Sequence, residues 1–232
     1  MWWRSKQFVQ RMLSYILRWP IGLWRLILWL LWIKSPRGKH AFVRWVAGLV
    51  LLSFDLTPTI LFIETLLDVV KWKTRPLSVL EKEMAKSVFG SQFPIQLIAF
   101  DPDSIPVKRS KTMAYVSFHT INASAHIPEY VFIHELVHIW QYHHNGSAYI
   151  SEAIWAQKWG GGYNYGGIEL LQKYSTGKGL SAFNYEQQAD IIEDYYRWKN
   201  GLSLQWAVNA PGIGTLLEQY KNELVKRVEG EG

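Results

Sequence analysis

The chain has no cysteine among its 232 residues. This absence excludes disulfide bonds, a thiolate nucleophile and any zinc or iron–sulfur site that is built on cysteine. A metal site would therefore have to use histidine and carboxylate ligands. The compartment stays open, because an exported protein can also fold without disulfides.

Acidic residues are missing from the first 54 positions, and Asp55 is the first one. That segment nevertheless holds nine basic residues and seven of the 13 tryptophans. The other 178 residues carry 16 basic and 19 acidic groups, so the formal net charge of +6 comes entirely from the N-terminal segment. Arginine and tryptophan without acid is typical of a membrane interface, where aromatic rings sit at headgroup depth and cations meet anionic lipid.

Long apolar runs are also scarce. Residues 20–33 are nearly all apolar, but this run of 14 residues is interrupted by Arg25 and is shorter than the roughly 20 residues that span a bilayer. A second stretch, 45–63, is long enough but carries Asp55 and Pro58 near its centre. Neither stretch predicts a simple membrane-spanning helix.

Basic residues lie on both sides of the first apolar run, which the positive-inside rule would place on one side of a membrane. We therefore predict that residues 1–73 form a hydrophobic helical segment that associates with membrane lipid as an in-plane or re-entrant anchor, with the membrane side undetermined. No small-residue cleavage site follows the run, so we expect no cleaved signal peptide. No nucleic-acid-binding motif occurs in this segment, so we expect no nucleic-acid partner.

Arginines recur every seven residues within the predicted anchor, at Arg4, Arg11, Arg18 and Arg25. On a helix they form one slowly drifting stripe opposite an apolar face, which predicts an amphipathic helix lying in the membrane interface. The alternative is a soluble helical cap whose tryptophans pack on the rest of the chain.

Residues 74–232 predict an α+β domain that is mainly helical with a small sheet. Two strands are expected, at 95–100 and 112–121. Gly160 to Gly167 predict a flexible loop. Helices are expected at 77–89, 128–144, 147 or 151 to 159, 168–174, 184–200 and 213–228.

The residues His134-Glu135-Leu136-Val137-His138 form an HExxH motif. On a helix, residues four apart share one face, so both imidazoles can bind one Zn²⁺. Glu135 lies beside that face and can act as general base toward a water on the metal. The simpler alternative is a helix with two hydrogen-bonded core histidines.

A catalytic zinc needs a third protein ligand. Glu186 begins a predicted helix, and Asp190 follows one turn later, where it can accept a hydrogen bond from a histidine ligand. Glu152 on the preceding helix is an alternative ligand. His144 is another, since it stands where an HExxHxxGxxH pattern has its third histidine, but Gln141 replaces the glycine of that pattern. We favour Glu186.

The HExxH motif followed 48 residues later by Glu-x-x-Ala-Asp resembles zinc peptidases of the gluzincin type. The string that ends at Gln141 is also similar to a bacterial family of metallopeptidases marked by HExxH-x-x-Q. The resemblance covers about 128–196. It implies a zincin-like fold, Zn²⁺ as cofactor, Glu186 as third ligand, a peptide or protein substrate, and an edge strand at 112–121 that pairs with extended peptide.

Two tyrosines, Tyr163 and Tyr165, lie in the glycine-rich loop and could stabilise an oxyanion if that loop closes. Aromatic packing beneath the loop is the alternative. The sequence as a whole predicts a membrane-associated zinc metallopeptidase with Glu135 as general base. Two other classes stay open: a non-proteolytic module in which zinc only staples helices, and a membrane- or secretion-associated adaptor without metal.

Overall fold

The computed structural model describes residues 2–31, 39–110, 112–124, 126–208 and 210–230. Within these ranges the chain forms ten α-helices and four short strands. The helices are α1 (Trp2–Leu31), α2 (Lys39–Asp55), α3 (Thr59–Val70), α4 (Val79–Phe89), α5 (Ile105–Arg109), α6 (Glu129–Asn145), α7 (Tyr149–Lys158), α8 (Gly167–Ser175), α9 (Tyr185–Lys199) and α10 (Ile213–Glu229). The strands are β1 (Arg75–Pro76), β2 (Ala99–Asp101), β3 (Ala114–Ser117) and β4 (Thr120–Ala123).

The four strands form one mixed sheet in the order β1-β2-β4-β3. β2 and β4 run parallel, while β1–β2 and β3–β4 are antiparallel pairs. β3 is therefore an edge strand. A mainly helical chain with a small mixed sheet confirms the predicted α+β class.

Both predicted strands differ from the observed ones. The stretch 112–121 folds into the β3–β4 hairpin rather than one strand, because the chain turns at Phe118 and His119. Phe118 adopts a left-handed conformation with φ 56°. Turns of this kind usually carry glycine or asparagine, so the sequence does not predict one here. In 95–100 the strand begins only at Ala99, and a 3₁₀ turn precedes it.

The main hydrophobic core is built from residues between Leu77 and Val228. Helix α6 lies at its centre and is buried continuously from Val131 to Tyr142. Helix α9 packs along α6 and is buried on the side that faces it. This pairing brings the HExxH residues and the predicted third-ligand helix together.

The helices α1, α2 and α3 (the N-terminal helices) place polar groups against the rest of the chain. Arg11 is only 3% exposed, and its guanidinium lies 2.6 Å from Asp68 Oδ2 on α3. Arg18 Nη1 lies 2.9 Å from His143 Nδ1 at the end of α6, and Arg25 donates to the His143 carbonyl at 3.1 Å. The arginine stripe thus binds protein groups.

Asp55, the polar interruption in the second apolar stretch, is a docking contact as well. Its carboxylate accepts hydrogen bonds from the backbone N–H of Ser147 at 2.8 Å and from the Ser147 hydroxyl at 2.6 Å. Ser147 lies in the turn between α6 and α7. The N-terminal helices are therefore joined by charged groups to the end of the HExxH helix.

In the described structure the arginine stripe contacts protein groups, since Arg11 meets Asp68 while Arg18 and Arg25 meet His143. Binding of this stripe to lipid headgroups stays a prediction. The basic residues Lys34 and Arg37, and Trp32, lie outside the described ranges. The outward face of the N-terminal helices is apolar instead: exposed side chains include Leu13, Leu17, Trp24, Leu31, Phe42, Val43, Phe62, Leu66 and Val70.

Among the described residues, no helix alone combines the length and apolarity needed to cross a bilayer. Residues His40–Asp55 and Thr59–Val70 reach that length and apolarity only as a pair, which is bent by 82°.

We predict that Arg11→Met destabilises the fold by about 3–5 kcal/mol, because Asp68 would be left buried without its cation. Adding Asp68→Leu should restore most of the loss, since an apolar pair can replace a buried ion pair. Denaturant unfolding in detergent measures both changes, with Lys6→Met on the exposed side of α1 as control. A variant of unchanged stability but weaker lipid binding would contradict the inward assignment of Arg11.

Candidate metal centre

Three buried side chains converge where α6 and α9 meet. The Nε2 atoms of His134 and His138 are 3.2 Å apart, as expected for positions i and i+4 on one helix face. Glu186 Oε2 lies 3.5 Å from the first Nε2 and 3.4 Å from the second. These three atoms form a group that could hold one metal ion.

Local sequence explains why Glu186 points at α6. Asn184 caps α9 by accepting a hydrogen bond from the Gln187 N–H at 2.9 Å, and the Gln187 side chain accepts one from the Asn184 N–H at 3.1 Å. This capping box contributes about 1 kcal/mol and sets where the helix begins. Glu186 therefore lies in the first turn, on the side facing the two imidazoles.

The two oxygens of Glu186 have different surroundings. Oε1 accepts a hydrogen bond from Gln157 Nε2 on α7 at 2.9 Å. Oε2 is buried and receives no hydrogen bond from the part of the chain that the structure describes. A buried carboxylate oxygen without a donor is costly, and a cation shared with the two imidazole nitrogens would satisfy it. The donor set of two imidazoles and one carboxylate fits zinc.

The other ring nitrogen of His134 faces α9. Its Nδ1 lies 2.8 Å from Asp190 Oδ1 and 3.2 Å from Glu193 Oε2. Asp190 is held in turn by the indole N–H of Trp206, which donates to its Oδ2. A carboxylate on Nδ1 keeps the proton there and leaves Nε2 free to bind a metal.

Gln141 performs the same task for His138. Its Nε2 donates to the Tyr185 carbonyl at 2.9 Å and to Gln188 Oε1 at 3.1 Å, so its Oε1 must be the acceptor that faces His138 Nδ1 at 2.8 Å. His138 therefore carries a proton on Nδ1, which leaves Nε2 as the nitrogen available to a metal. In the sequence Gln141 stands out only as part of a motif. Nothing in the sequence indicates the role of Gln157, because that role depends on a contact between distant elements.

Charge within the site favours a cation. Burial alone would lower the pKa of His134, but the carboxylates of Asp190, Glu186 and Glu193 outweigh it and raise that pKa well above its ordinary value. Burial would raise the pKa of Glu186, yet His138 and His134 hold it well below its usual range. Glu186 is therefore ionised, and the site attracts positive charge.

Glu135 is buried beside the cluster. Its Oε2 has no hydrogen-bond partner among the described residues. Burial raises the pKa of Glu135, which the neighbouring imidazoles offset in part. A carboxylate whose pKa is shifted toward neutrality is a better general base and acid than an ordinary glutamate.

The cluster lies at the floor of a cleft of about 510 Å³. One wall is the edge strand β3 and the other is α7. Tyr163 lines the same cleft, is 40% exposed, and has its ring centre 6.1 Å from that of His134. Burial raises the pKa of Tyr163 to about 12, so its hydroxyl keeps its proton.

The structure places the other candidates elsewhere. Tyr165 is fully buried, and its hydroxyl donates to Asp194 Oδ2 at 2.7 Å. Glu152 Oε1 lies 3.3 Å from Arg44 Nε on α2, away from the two Nε2 atoms. His144 stacks on Trp140 with 5.5 Å between ring centres. Neither Glu152 nor His144 belongs to the group that could hold a metal.

Fold and site together define a mainly helical α+β protein with a buried His–His–Glu cluster. No protein-family model matches the chain, and no solved structure matches it. The chain is similar to the type VI secretion system spike protein VgrG2b of Pseudomonas aeruginosa, with 27% identity over 138 residues. The match covers 54% of this chain but only 13% of that protein.

We predict that Gln141→Leu weakens zinc affinity by roughly 10- to 100-fold, because His138 loses the acceptor that fixes its proton. Competition with a chromophoric chelator measures the affinity, and thermal unfolding checks that the variant folds. Gln219→Leu, on the exposed side of α10, is the matched control. Equal affinities for a folded Gln141→Leu and the control would rule out this role for Gln141.

Proposed function

We propose that the protein is a zinc-dependent metallopeptidase with a zincin-like, gluzincin-type site. One observation carries the proposal: the buried, unsatisfied Oε2 of Glu186 faces the Nε2 atoms of His134 and His138 at 3.5 and 3.4 Å. His134, His138 and Glu186 are the proposed zinc ligands. The alternative is a protonated histidine pair neutralised by Glu186, which would bind no zinc.

The chain's own residues have distinct roles in this hydrolysis. Zinc, when bound, polarises the scissile carbonyl and lowers the pKa of a water to roughly 7. Glu135 accepts the proton of the attacking water on Oε2 and passes it to the amine that leaves. Asp190 and Gln141 hold the Nδ1 protons of His134 and His138, which keeps both Nε2 atoms free.

The cleft suits an extended polypeptide. β3 borders it as an edge strand, so a peptide can add to the sheet by main-chain hydrogen bonds. The Tyr149 hydroxyl donates to the Val116 carbonyl at 3.3 Å and joins the two walls. Tyr163 stands over the site with a protonated hydroxyl and is the proposed donor to the oxyanion of the tetrahedral intermediate.

We predict that Glu135→Gln keeps stoichiometric zinc but lowers peptidase activity by about 10²- to 10⁴-fold, since the amide cannot accept the proton. Elemental analysis and hydrolysis of an unstructured protein measure the two properties. His134→Ala should lose both zinc and activity. The proposal fails if the purified protein holds no zinc and His134→Ala leaves its metal content unchanged.

A secretion-associated role is the second candidate, and the similarity to a secretion spike protein favours it. If the chain were an adaptor without metal, variants of the HExxH residues would leave its function intact. If zinc only staples the helices, Glu135→Gln would be neutral while His138→Ala would unfold the protein.

We further propose that residues 1–73 bind membrane lipid through the outward face of the N-terminal helices. Leu17 is 77% and Trp24 59% exposed, and they belong to a larger apolar surface of the kind that marks interaction sites. Because the arginines of α1 are engaged inside the protein, burial of apolar side chains supplies the attraction.

We predict that the double variant Leu17→Glu, Trp24→Glu loses flotation with zwitterionic vesicles while its unfolding temperature in detergent stays unchanged. Val208→Glu is the control, because it places the same charge at an 81% exposed apolar residue outside the N-terminal helices. Equal flotation of residues 74–232 and the whole chain would refute the proposed anchor.

A further inference from the structure

The N-terminal helices brace the first wall of the cleft at one end of β3. Glu64 on α3 accepts a hydrogen bond from the backbone N–H of His119 at 2.8 Å, in the turn that follows β3. Ile60, on the same helix, packs with Tyr142 and Tyr149, and Phe118 packs against this cluster. The turn that ends β3 is therefore fixed to α3.

The second wall, α7, is braced by α2. Arg44 pairs with Glu152, and its guanidinium lies 4.3 Å from the ring centre of Trp155. His40 stacks on Trp159 with 4.9 Å between ring centres. A helix turns by 100° per residue, so Glu152 and Trp155 lie on one face of α7. The opposite face carries the residues that line the cleft, Ile150, Ala153, Ile154 and Gln157.

Exposed apolar side chains occur on the N-terminal helices and also beside the cleft. Phe42 on α2 is 54% exposed, and Trp159 just beyond α7 is equally exposed at 54%. Ile154, which lines the cleft, is 46% exposed.

On α3, the exposed Phe62 and Leu66 lie on the side opposite Glu64, which holds His119. The end of the cleft at Phe118 is therefore about one helix diameter, roughly 10–12 Å, from the proposed lipid-binding face.

The direction of β3 gives the cleft a polarity. β3 runs from Ala114 to Ser117, toward the turn that α3 holds, and the far end of the cleft is lined by Ser110 and Thr112. A peptide that pairs antiparallel to β3, the more stable arrangement, has its N-terminal side at Phe118. The membrane end of the cleft would then receive the N-terminal side of a substrate.

We propose that the substrate is a polypeptide held in the same membrane through its N-terminal side and cut in the extramembrane segment next to that anchor. This inference rests on the proposed peptidase function and on lipid binding by the N-terminal helices. Binding of the protein and its substrate to one membrane raises the effective concentration of the substrate at the cleft. Because the cleft is fixed relative to the bilayer, the cut falls a short distance from the membrane.

The test uses the full-length, zinc-loaded protein with vesicles and one unstructured polypeptide coupled to a maleimide lipid through a single terminal cysteine. Three forms are compared at equal concentration: N-terminally coupled, C-terminally coupled and uncoupled. We expect the N-terminally coupled form to be cut at least about 10-fold faster than the uncoupled one. Mass spectrometry should place its cuts within roughly ten residues of the lipid, since ten extended residues reach about 33 Å.

The three forms separate this inference from the proposals beneath it. Equal rates for the two coupled forms, or cuts spread along the chain, would overturn it while leaving the peptidase intact. Loss of the preference in the variant Leu17→Glu, Trp24→Glu, with unchanged cutting of the uncoupled form, supports it. Failure to cut any form, with Glu135→Gln behaving identically, would refute the peptidase function and this inference together.

Discussion

Four carboxylates buried on one helix set the main constraint on this structure. Glu186, Asp190, Glu193 and Asp194 all lie on the inner side of α9. Charges out of water require partners, or the fold loses several kcal/mol for each. Packing against α7 and α6 gives Glu186 the side chain of Gln157 and gives Asp190 the imidazole of His134. Arg197 pairs with Glu193, and Tyr165 donates a hydrogen bond to Asp194. Among the oxygens of these four carboxylates, Oε2 of Glu186 receives no hydrogen bond from the described residues, and it is directed at both imidazoles.

In the N-terminal helices, charged side chains lie inside and apolar side chains lie outside, which is the reverse of the usual arrangement in soluble proteins. Their arginines and acids point inward, where Arg11 meets Asp68 and Asp55 meets Ser147, and their aliphatic and aromatic side chains point outward. Large exposed apolar surfaces of this kind mark interaction sites. The proposed lipid partner is therefore recognised by apolar area, while Arg18 and Arg25 contact His143 at the end of the HExxH helix.

Local rules in the sequence predict local parts of the site. His134 and His138 share a face because helical geometry alone decides it, and the cap at Asn184 is a short-range pattern. The pairing of α6 with α9 is a long-range contact, so the spacing of Glu186 and Asp190 on one helix face marks Glu186 only as a candidate alongside Glu152 and His144. Glu152 and Gln157 lie on one helix. The sequence does not show that Glu152 pairs with Arg44 on α2, nor that Gln157 donates a hydrogen bond to Glu186. Nothing in the sequence marks the turn at Phe118, because its left-handed residue is not a glycine.

Helix α7 joins these two parts of the molecule, because its opposite faces serve different partners. Arg44 holds Glu152 on one face, while Gln157 on the other face holds Oε1 of Glu186. Contacts that share one backbone element can be energetically coupled. The N-terminal helices therefore contact the same helix that orients Glu186, although none of their described residues belongs to the group that could hold a metal.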